Sequence, residues 1–142
     1  MNDVKSSENL LPVVGFLKIP KDGQPYLEGA RCDECEAVYT KPQTHCAQCL
    51  SPNSLRPYKL GCTGKLYTYS IVCRSFPGIE VPFISAYVDL DGGGALKGNL
   101  IDVEATPDAI RFGMPVNIIF DEALGRKDRK GNSYLSYFFA PA

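Results

Sequence analysis

The stretch RCDECEAVYTKPQTHCAQCL, residues 31–50, carries two C-x-x-C pairs separated by ten residues. In Cys32-Asp-Glu-Cys35 and Cys46-Ala-Gln-Cys49, the two-residue gap lets both sulfurs of a pair turn toward one ion. The ten residues between the pairs can return as a hairpin, so that four thiolates close a tetrahedron. The spacing therefore predicts a structural zinc site with the ligands Cys32, Cys35, Cys46 and Cys49.

Four thiolates leave no open coordination position, so a zinc ion held in this way stabilises the fold and does not activate water. Zinc ligation supplies on the order of 10 kcal/mol, which a segment of this length cannot obtain from apolar burial alone. A rubredoxin-like iron site uses the same four ligands, and the sequence leaves iron open as an alternative. His45 precedes Cys46 directly, and we interpret it as a bystander beside four available cysteines.

The composition is that of a soluble globular protein, with 44% hydrophobic and 22% charged residues among 142. The formal net charge is -1, so no global positive field favours nucleic acid or anionic lipid. No apolar run reaches membrane-spanning length, and residues 1–20 lack the pattern of a secretory signal. We therefore expect a cytoplasmic protein without a membrane partner.

Segments rich in β-branched and aromatic residues follow the cysteine region from Gly64 onward. Three of them are KLYTYSIVC, PFISAYVDLD and ALKGNLIDV, and two more, PVNIIF and SYLSYFFA, come later. Between the third and fourth, Thr106 as N-cap, Pro107 at the first position and Gly113 as terminator predict a short helix. This order predicts a mainly β chain that ends in a five-stranded Greek-key barrel of the OB type.

We divide the sequence into an extended N-terminal arm over residues 1–29, a rubredoxin-like zinc ribbon with its connection over 30–61, and the OB-fold domain over 62–142. The apolar residues of the arm predict that it lies against its own core or against a partner. The basic stretch from Arg126 to Lys130 is interpreted as a solvated hairpin loop.

The two remaining cysteines have no partner at metal-ligand spacing. Cys73 ends the first barrel segment, and we expect a small buried apolar residue there, whereas Cys62 lies in a Gly-Cys-Thr-Gly turn and is expected to be more exposed. The sole histidine, His45, belongs to the ribbon, so a Cys/His nucleophile pair is not expected in this chain.

Several motifs together resemble a known family, in which a rubredoxin-like zinc ribbon is joined to an OB fold and associates with acyl-CoA enzymes. The resemblance covers about residues 26–142. The motifs are the ribbon Cys32 to Cys49 with Pro42, Gly64-Lys-Leu-Tyr-Thr-Tyr-Ser-Ile-Val, Pro82-Phe-Ile-Ser-Ala-Tyr-Val-Asp-Leu-Asp, Gly98-Asn-Leu, Gly113-Met-Pro-Val and Phe138-Phe-Ala-Pro. The chain departs from the family at Glu36, where a glycine is common, and in lacking an evident helix before the ribbon.

The resemblance implies a non-catalytic accessory subunit of a thiolase-type complex, in which a thiolase-like partner supplies the catalytic residues and this chain helps form the interface and the CoA or acyl channel. A subunit of benzoylsuccinyl-CoA thiolase is one candidate within the family, as are partners of acetoacetyl-CoA thiolases and of sterol side-chain aldolases. Coenzyme A is then a ligand of the complex. The residues that we assign to the partner or to the CoA channel are Arg74, Phe76, Phe83, Lys97, Phe138 and Phe139.

Core packing inside the barrel is the alternative role of these phenylalanines. Two other functions stay open. An OB fold can bind single-stranded nucleic acid, although the dispersed charge argues against it. The chain can also be a stand-alone acyl-CoA carrier, with Arg74, Lys97 or the basic loop at the phosphates.

Overall fold

The computed structural model describes residues 10–21, 23–41, 43–127 and 131–142. Within these ranges the chain is mainly β, and no helix is long and apolar enough to cross a membrane. The strands are β1 Leu10–Pro12, β2 Leu17–Lys18, β3 Tyr26–Cys32, β4 Val38–Tyr39, β5 Leu55–Lys59, β6 Thr63–Val72, β7 Phe83–Leu90, β8 Ala95–Leu100, β9 Pro115–Lys127 and β10 Ser133–Pro141.

Strands β6 to β10 form a closed barrel, which confirms the predicted fold class. Their order is β10-β8-β7-β6-β9, and a further pairing of β9 with β10 closes the sheet. The pairs β6–β7 and β7–β8 are antiparallel, whereas β8 and β10 run parallel through Phe139 and Leu100. This is the five-stranded Greek-key connectivity of an OB fold.

The alternation of side chains along β7 shows why this sequence forms a barrel strand. Ile84, Ala86, Val88 and Leu90 are buried, and the residues between them are exposed or half-buried. Successive side chains of a strand point to opposite faces, so every second residue enters the core. Leu66, Leu96, Leu100, Val116, Ile118, Phe138 and Phe139 complete this core from the other strands.

Gly64, the second residue of the first barrel strand, lies where no side chain fits. A Cβ at this position would lie 2.5 Å from the backbone oxygen of Asp89 and 2.7 Å from Cγ1 of Val88. Both atoms belong to β7, which pairs with β6 at Gly64 and Leu90. The close approach of the two backbones accounts for the glycine in this motif.

The prediction of a short helix between the third and fourth barrel strands is wrong. Between Leu100 and Pro115, all described, only a single three-residue 3₁₀ turn, Pro107–Ala109, is present. Thr106 has the extended backbone of an N-cap but makes no side-chain capping hydrogen bond. Ile110 returns to extended backbone and is buried, so burial of this side chain ends the turn before a helix can propagate.

The chain divides into two compact units, residues 61–119 with 138–142, and residues 1–60 with 120–137. In the latter, β3 pairs antiparallel with β2, β4 and β5, and β1 runs parallel to β10 through Leu10 and Ser133. Within the predicted arm, Leu17 of β2 is buried, which favours packing against the protein's own core. The boundary that we drew at residue 29 stays a prediction.

Three stretches named in the sequence analysis touch residues outside the described ranges. Residues 1–9 and residue 22 of the arm lie outside them, as does Pro42 of the ribbon. Strand β9 extends through Lys127, so Arg126 and Lys127 belong to a strand and the predicted loop there is wrong. The rest of that stretch, residues 128–130, lies outside the described residues.

Candidate metal centre

Each cysteine pair is held by the same backbone turn. The N–H of Glu36 donates to the carbonyl oxygen of Cys32 at 2.9 Å, and the N–H of Leu50 donates to that of Cys46 at 2.9 Å. Glu36 and Leu50 have positive φ angles of 67° and 64°, which turn the chain back after the second cysteine of each pair. The two pairs therefore present their sulfurs in equivalent local geometry.

The four sulfur atoms converge on one point between the turns. All lie within 4.8 Å of one another, with 3.7 Å between Cys32 and Cys49 and 3.4 Å between Cys35 and Cys46. A tetrahedron with zinc–sulfur bonds of about 2.3 Å has sulfur–sulfur edges of about 3.8 Å. The cluster of Cys32, Cys35, Cys46 and Cys49 can thus hold a metal ion such as zinc.

Three hydroxyl groups surround this cluster, and sequence spacing gave no sign of them. Tyr39 Oη lies 3.3 Å from the Cys46 sulfur, and the Ser54 hydroxyl lies 3.1 Å from the Cys32 sulfur. The sulfur of Cys49 is 3.3 Å from the Ser51 hydroxyl. Ser54 is buried, and a buried hydroxyl needs a partner, so its position beside Cys32 is part of the site's construction.

These contacts move the thiol pKa values in opposite directions. The hydrogen bond from Tyr39, with the backbone N–H of Cys49, lowers the pKa of Cys46 to about 6. The Ser54 hydroxyl lowers the pKa of Cys32. The N–H of Ala37 pulls the pKa of Cys35 down, but desolvation and its hydrogen bonds to the other sulfurs outweigh it and raise the value to about 12.

The other two cysteines and the histidine are not members of the cluster. Cys62 is exposed as expected, but Cys73 is exposed too, so the prediction of a buried Cys73 is wrong. Strand β6 ends at Val72, and Cys73 already belongs to the connection that follows it. His45 is exposed and its Nδ1 lies 3.1 Å from the Thr44 hydroxyl.

The six residues that were assigned to a partner or to CoA differ in how exposed their side chains are. Phe138 and Phe139 are 4% and 0% exposed, which favours the alternative of core packing for this pair. Phe76 is 80% exposed in the connection between β6 and β7, where Arg74 is also exposed. Phe83 is half-buried, and Lys97 lies 5.9 Å above the ring of Tyr87.

The unit that contains the ribbon also forms a cavity of about 540 Å³ that is open to solvent and that the sequence analysis missed. Its apolar wall includes Phe16 and Leu55, and Lys18, Lys41 and Arg56 contribute three cationic side chains against one carboxylate, Glu28. Arg56 is oriented by Asp33, whose carboxylate lies 3.2 Å from Nε. These residues come from four separated segments, so no local sequence pattern could have indicated them.

Comparison with known proteins places the chain in a family. A family model described as the ChsH2 C-terminal OB-fold domain matches residues 58–121. A DUF35 domain-containing scaffold protein of Methanocaldococcus jannaschii is 31% identical over 96 residues, which are 66% of this chain and 67% of that protein. The chain belongs to the DUF35 family. This membership confirms the resemblance drawn from the motifs.

Two further relatives carry names that concern acyl-CoA enzymes and aldolases. The benzoylsuccinyl-CoA thiolase subunit BbsA of Geobacter metallireducens is 39% identical to this DUF35 protein over 76 residues, 53% of this chain and 51% of BbsA. The match therefore spans about half of that subunit. A solved structure of an Ltp2-ChsH2(DUF35) aldolase superimposes with a TM-score of 0.65 at 29% identity, covering 82% of this chain and 84% of that one.

Proposed function

We propose that this chain is a zinc-containing, non-catalytic accessory subunit of a thiolase-type acyl-CoA enzyme complex. The observation that carries the proposal is its similarity to a benzoylsuccinyl-CoA thiolase subunit, together with the four-cysteine cluster. The partner is then a thiolase-like catalytic subunit, and the reaction of the complex is the CoA-dependent cleavage of a β-ketoacyl-CoA such as benzoylsuccinyl-CoA.

The donor set supports zinc in a structural role. Four sulfurs saturate a tetrahedral ion, so no position remains for a water or a substrate. Cys32 and Cys46 are buried, whereas Cys35 is half-buried and Cys49 is exposed, so the protein would shield the ion on one side. Zinc bound here would hold the two cysteine turns together, and the chemistry of the complex would come from the partner.

The connection between β6 and β7 is the surface that we assign to the partner. Phe76 is 80% exposed there, and Val81, five residues further on, is also exposed. Large aromatic side chains dominate the energy of protein interfaces when a partner covers them. Arg74, exposed beside Phe76, can pair with a carboxylate of the partner.

The cationic cavity supports a contact with CoA. Its volume of about 540 Å³ is in the range of small-molecule sites. Coenzyme A carries phosphate groups and an aromatic base, and the cavity offers Lys18, Lys41 and Arg56 beside the ring of Phe16. We assign phosphate groups of CoA to these three cations.

The test is purification of the tagged chain from its native host in mild buffer, with mass identification of its companions and metal analysis of the same sample. We expect a thiolase-like companion in fixed ratio and one zinc per chain. The pure chain should show no thiolysis of β-ketoacyl-CoA, and the rebuilt complex should. Clear turnover by the pure chain, or a chain without any companion, would refute the accessory role.

A second candidate function is the binding of single-stranded nucleic acid. Two tyrosines on the barrel favour it, because Tyr67 is 66% exposed and Tyr87 is exposed beneath Lys97. Exposed aromatic rings with nearby cations are the elements that stack and attract single strands. Salt-sensitive binding of an oligonucleotide that is lost in Tyr67→Ala would favour this function over the first.

A further inference from the structure

We propose that Tyr39 is a positioning residue of the metal centre, which fixes the second cysteine pair and donates a hydrogen bond to the Cys46 sulfur in the loaded site. The inference rests on the metal site proposed above and extends it to a residue that is not a ligand. It concerns the chain by itself and does not require the thiolase-like partner.

The hydrogen bonds of the Tyr39 phenol define its role. Its oxygen accepts the backbone N–H of Ala47 at 2.9 Å and that of Gln48 at 3.2 Å. A phenol oxygen has one proton to donate, and these two N–H groups use its accepting capacity. The remaining hydrogen is directed to the Cys46 sulfur at 3.3 Å. A metal-bound thiolate has no proton, so the donor in the loaded site is Tyr39.

The phenol also joins two separate structural elements of the ribbon. Tyr39 lies on β4, where it pairs with Ala30 of β3, whereas Ala47 and Gln48 are the two residues inside the second cysteine pair. One side chain thus connects the sheet to the turn that presents Cys46 and Cys49. Cys46 is fully buried, so water cannot easily replace a lost phenol donor.

The hydrogen bonding differs at the sulfur of Cys32. The Ser54 hydroxyl lies 3.1 Å from the Cys32 sulfur but also donates toward the carbonyl of Ser51 at 3.2 Å, so its single proton is shared. Tyr39 has no such competing acceptor among its hydrogen bonds described above. A donor on a ligating sulfur draws electron density away from the metal bond, and groups of this kind tune metal affinity.

Tyr39→Phe in the full chain, loaded with cobalt(II) in place of zinc, tests the proposal. Without the donor, the sulfur electrons are held less tightly, so the sulfur-to-cobalt charge-transfer band should move to lower energy. A chelator should also remove zinc faster, because the turn that presents Cys46 loses the phenol oxygen that holds the N–H groups of Ala47 and Gln48. Loss of a group that supports a metal ligand typically lowers metal affinity by about 10- to 100-fold. Tyr67→Phe, at an exposed tyrosine of β6, is the matched control and should leave both measurements unchanged.

An unchanged band and an unchanged release rate in Tyr39→Phe would overturn the proposal. If that variant does not fold, the wild-type chain with 3-fluorotyrosine replaces it. A more acidic phenol donates more strongly, so the cobalt band should then move to higher energy, and an unmoved band would again overturn the proposal. A wild-type chain that binds no cobalt would refute the metal site, whereas loss of the partner alone would bear only on the accessory function.

Discussion

Phe76→Ala and Phe139→Ala should differ strongly in how much they destabilise the protein, although both residues were assigned to a partner from the sequence. Phe76 is 80% exposed, so about one fifth of its side chain is buried. Full burial of a phenylalanine is worth about 1.5–3 kcal/mol, which makes the expected cost of Phe76→Ala about 0.3–0.6 kcal/mol. Phe139 is 0% exposed, and Phe139→Ala should cost about 3–5 kcal/mol through the lost burial and the cavity that remains.

The assay is denaturant unfolding of the zinc-loaded full chain, followed by titration of each variant with the thiolase-like subunit. We expect Phe76→Ala to fold normally and to bind that subunit at least tenfold more weakly, because an anchoring aromatic contributes about 2 kcal/mol or more. A loss of more than about 2 kcal/mol of stability in Phe76→Ala, or of less than about 1 kcal/mol in Phe139→Ala, would refute the reasoning from burial.

Three further perturbations follow from the backbone and the metal centre. Leu50 has a φ of 64°, so Leu50→Gly should be more stable than Leu50→Ala by about 1 kcal/mol in thermal unfolding, and equal stability would contradict the assigned strain. Gly64→Ala should cost at least about 1–3 kcal/mol by the same measurement, since its Cβ would lie 2.5 Å from a backbone oxygen. The lowered pKa of Cys46, about 6 against an ordinary 9.0, contributes stability that is complete above pH 9 and is lost as the pH falls through 6. Without the phenol donor, the pKa of Cys46 rises, and protons compete with the metal for its sulfur at a higher pH. Acid titration of the zinc-loaded chain with a zinc-sensitive dye should therefore show zinc release beginning at higher pH in Tyr39→Phe than in the wild type. Identical curves would argue against the Tyr39 contact.

The parts of the fold that the sequence predicted are those set by short-range patterns. The spacing of Cys32, Cys35, Cys46 and Cys49 is local to two turns, and the structure brings their sulfurs together. The alternation in β7 decides which residues enter the core, so the barrel could be predicted from strand order. In both cases the signal lies within ten or twenty residues of the chain.

The errors come where tertiary contacts decide between local alternatives. Thr106 and Pro107 are good helix-starting residues, but burial of Ile110 in extended backbone outweighs the propensity of so short a segment. Cys73 was placed in the core because the apolar run reaches it, whereas the strand ends one residue earlier. The contact of Tyr39 with Cys46 needs the second cysteine turn to fold back on β4, and no sequence period encodes that approach.

Zinc bound at the proposed site would account for the strained backbone of the two residues that directly follow the cysteine pairs. Glu36 and Leu50 both occupy the left-handed region, at 67° and 64°, where a residue other than glycine costs about 1–2 kcal/mol. Zinc held by four thiolates contributes on the order of 10 kcal/mol, several times the combined strain. Glu36 recovers part of its cost through its ion pair with Arg31, whereas Leu50 is exposed and has no comparable ion pair. Glycine pays no such cost in the left-handed region, so Leu50 is the position of the two where a change to glycine should gain most.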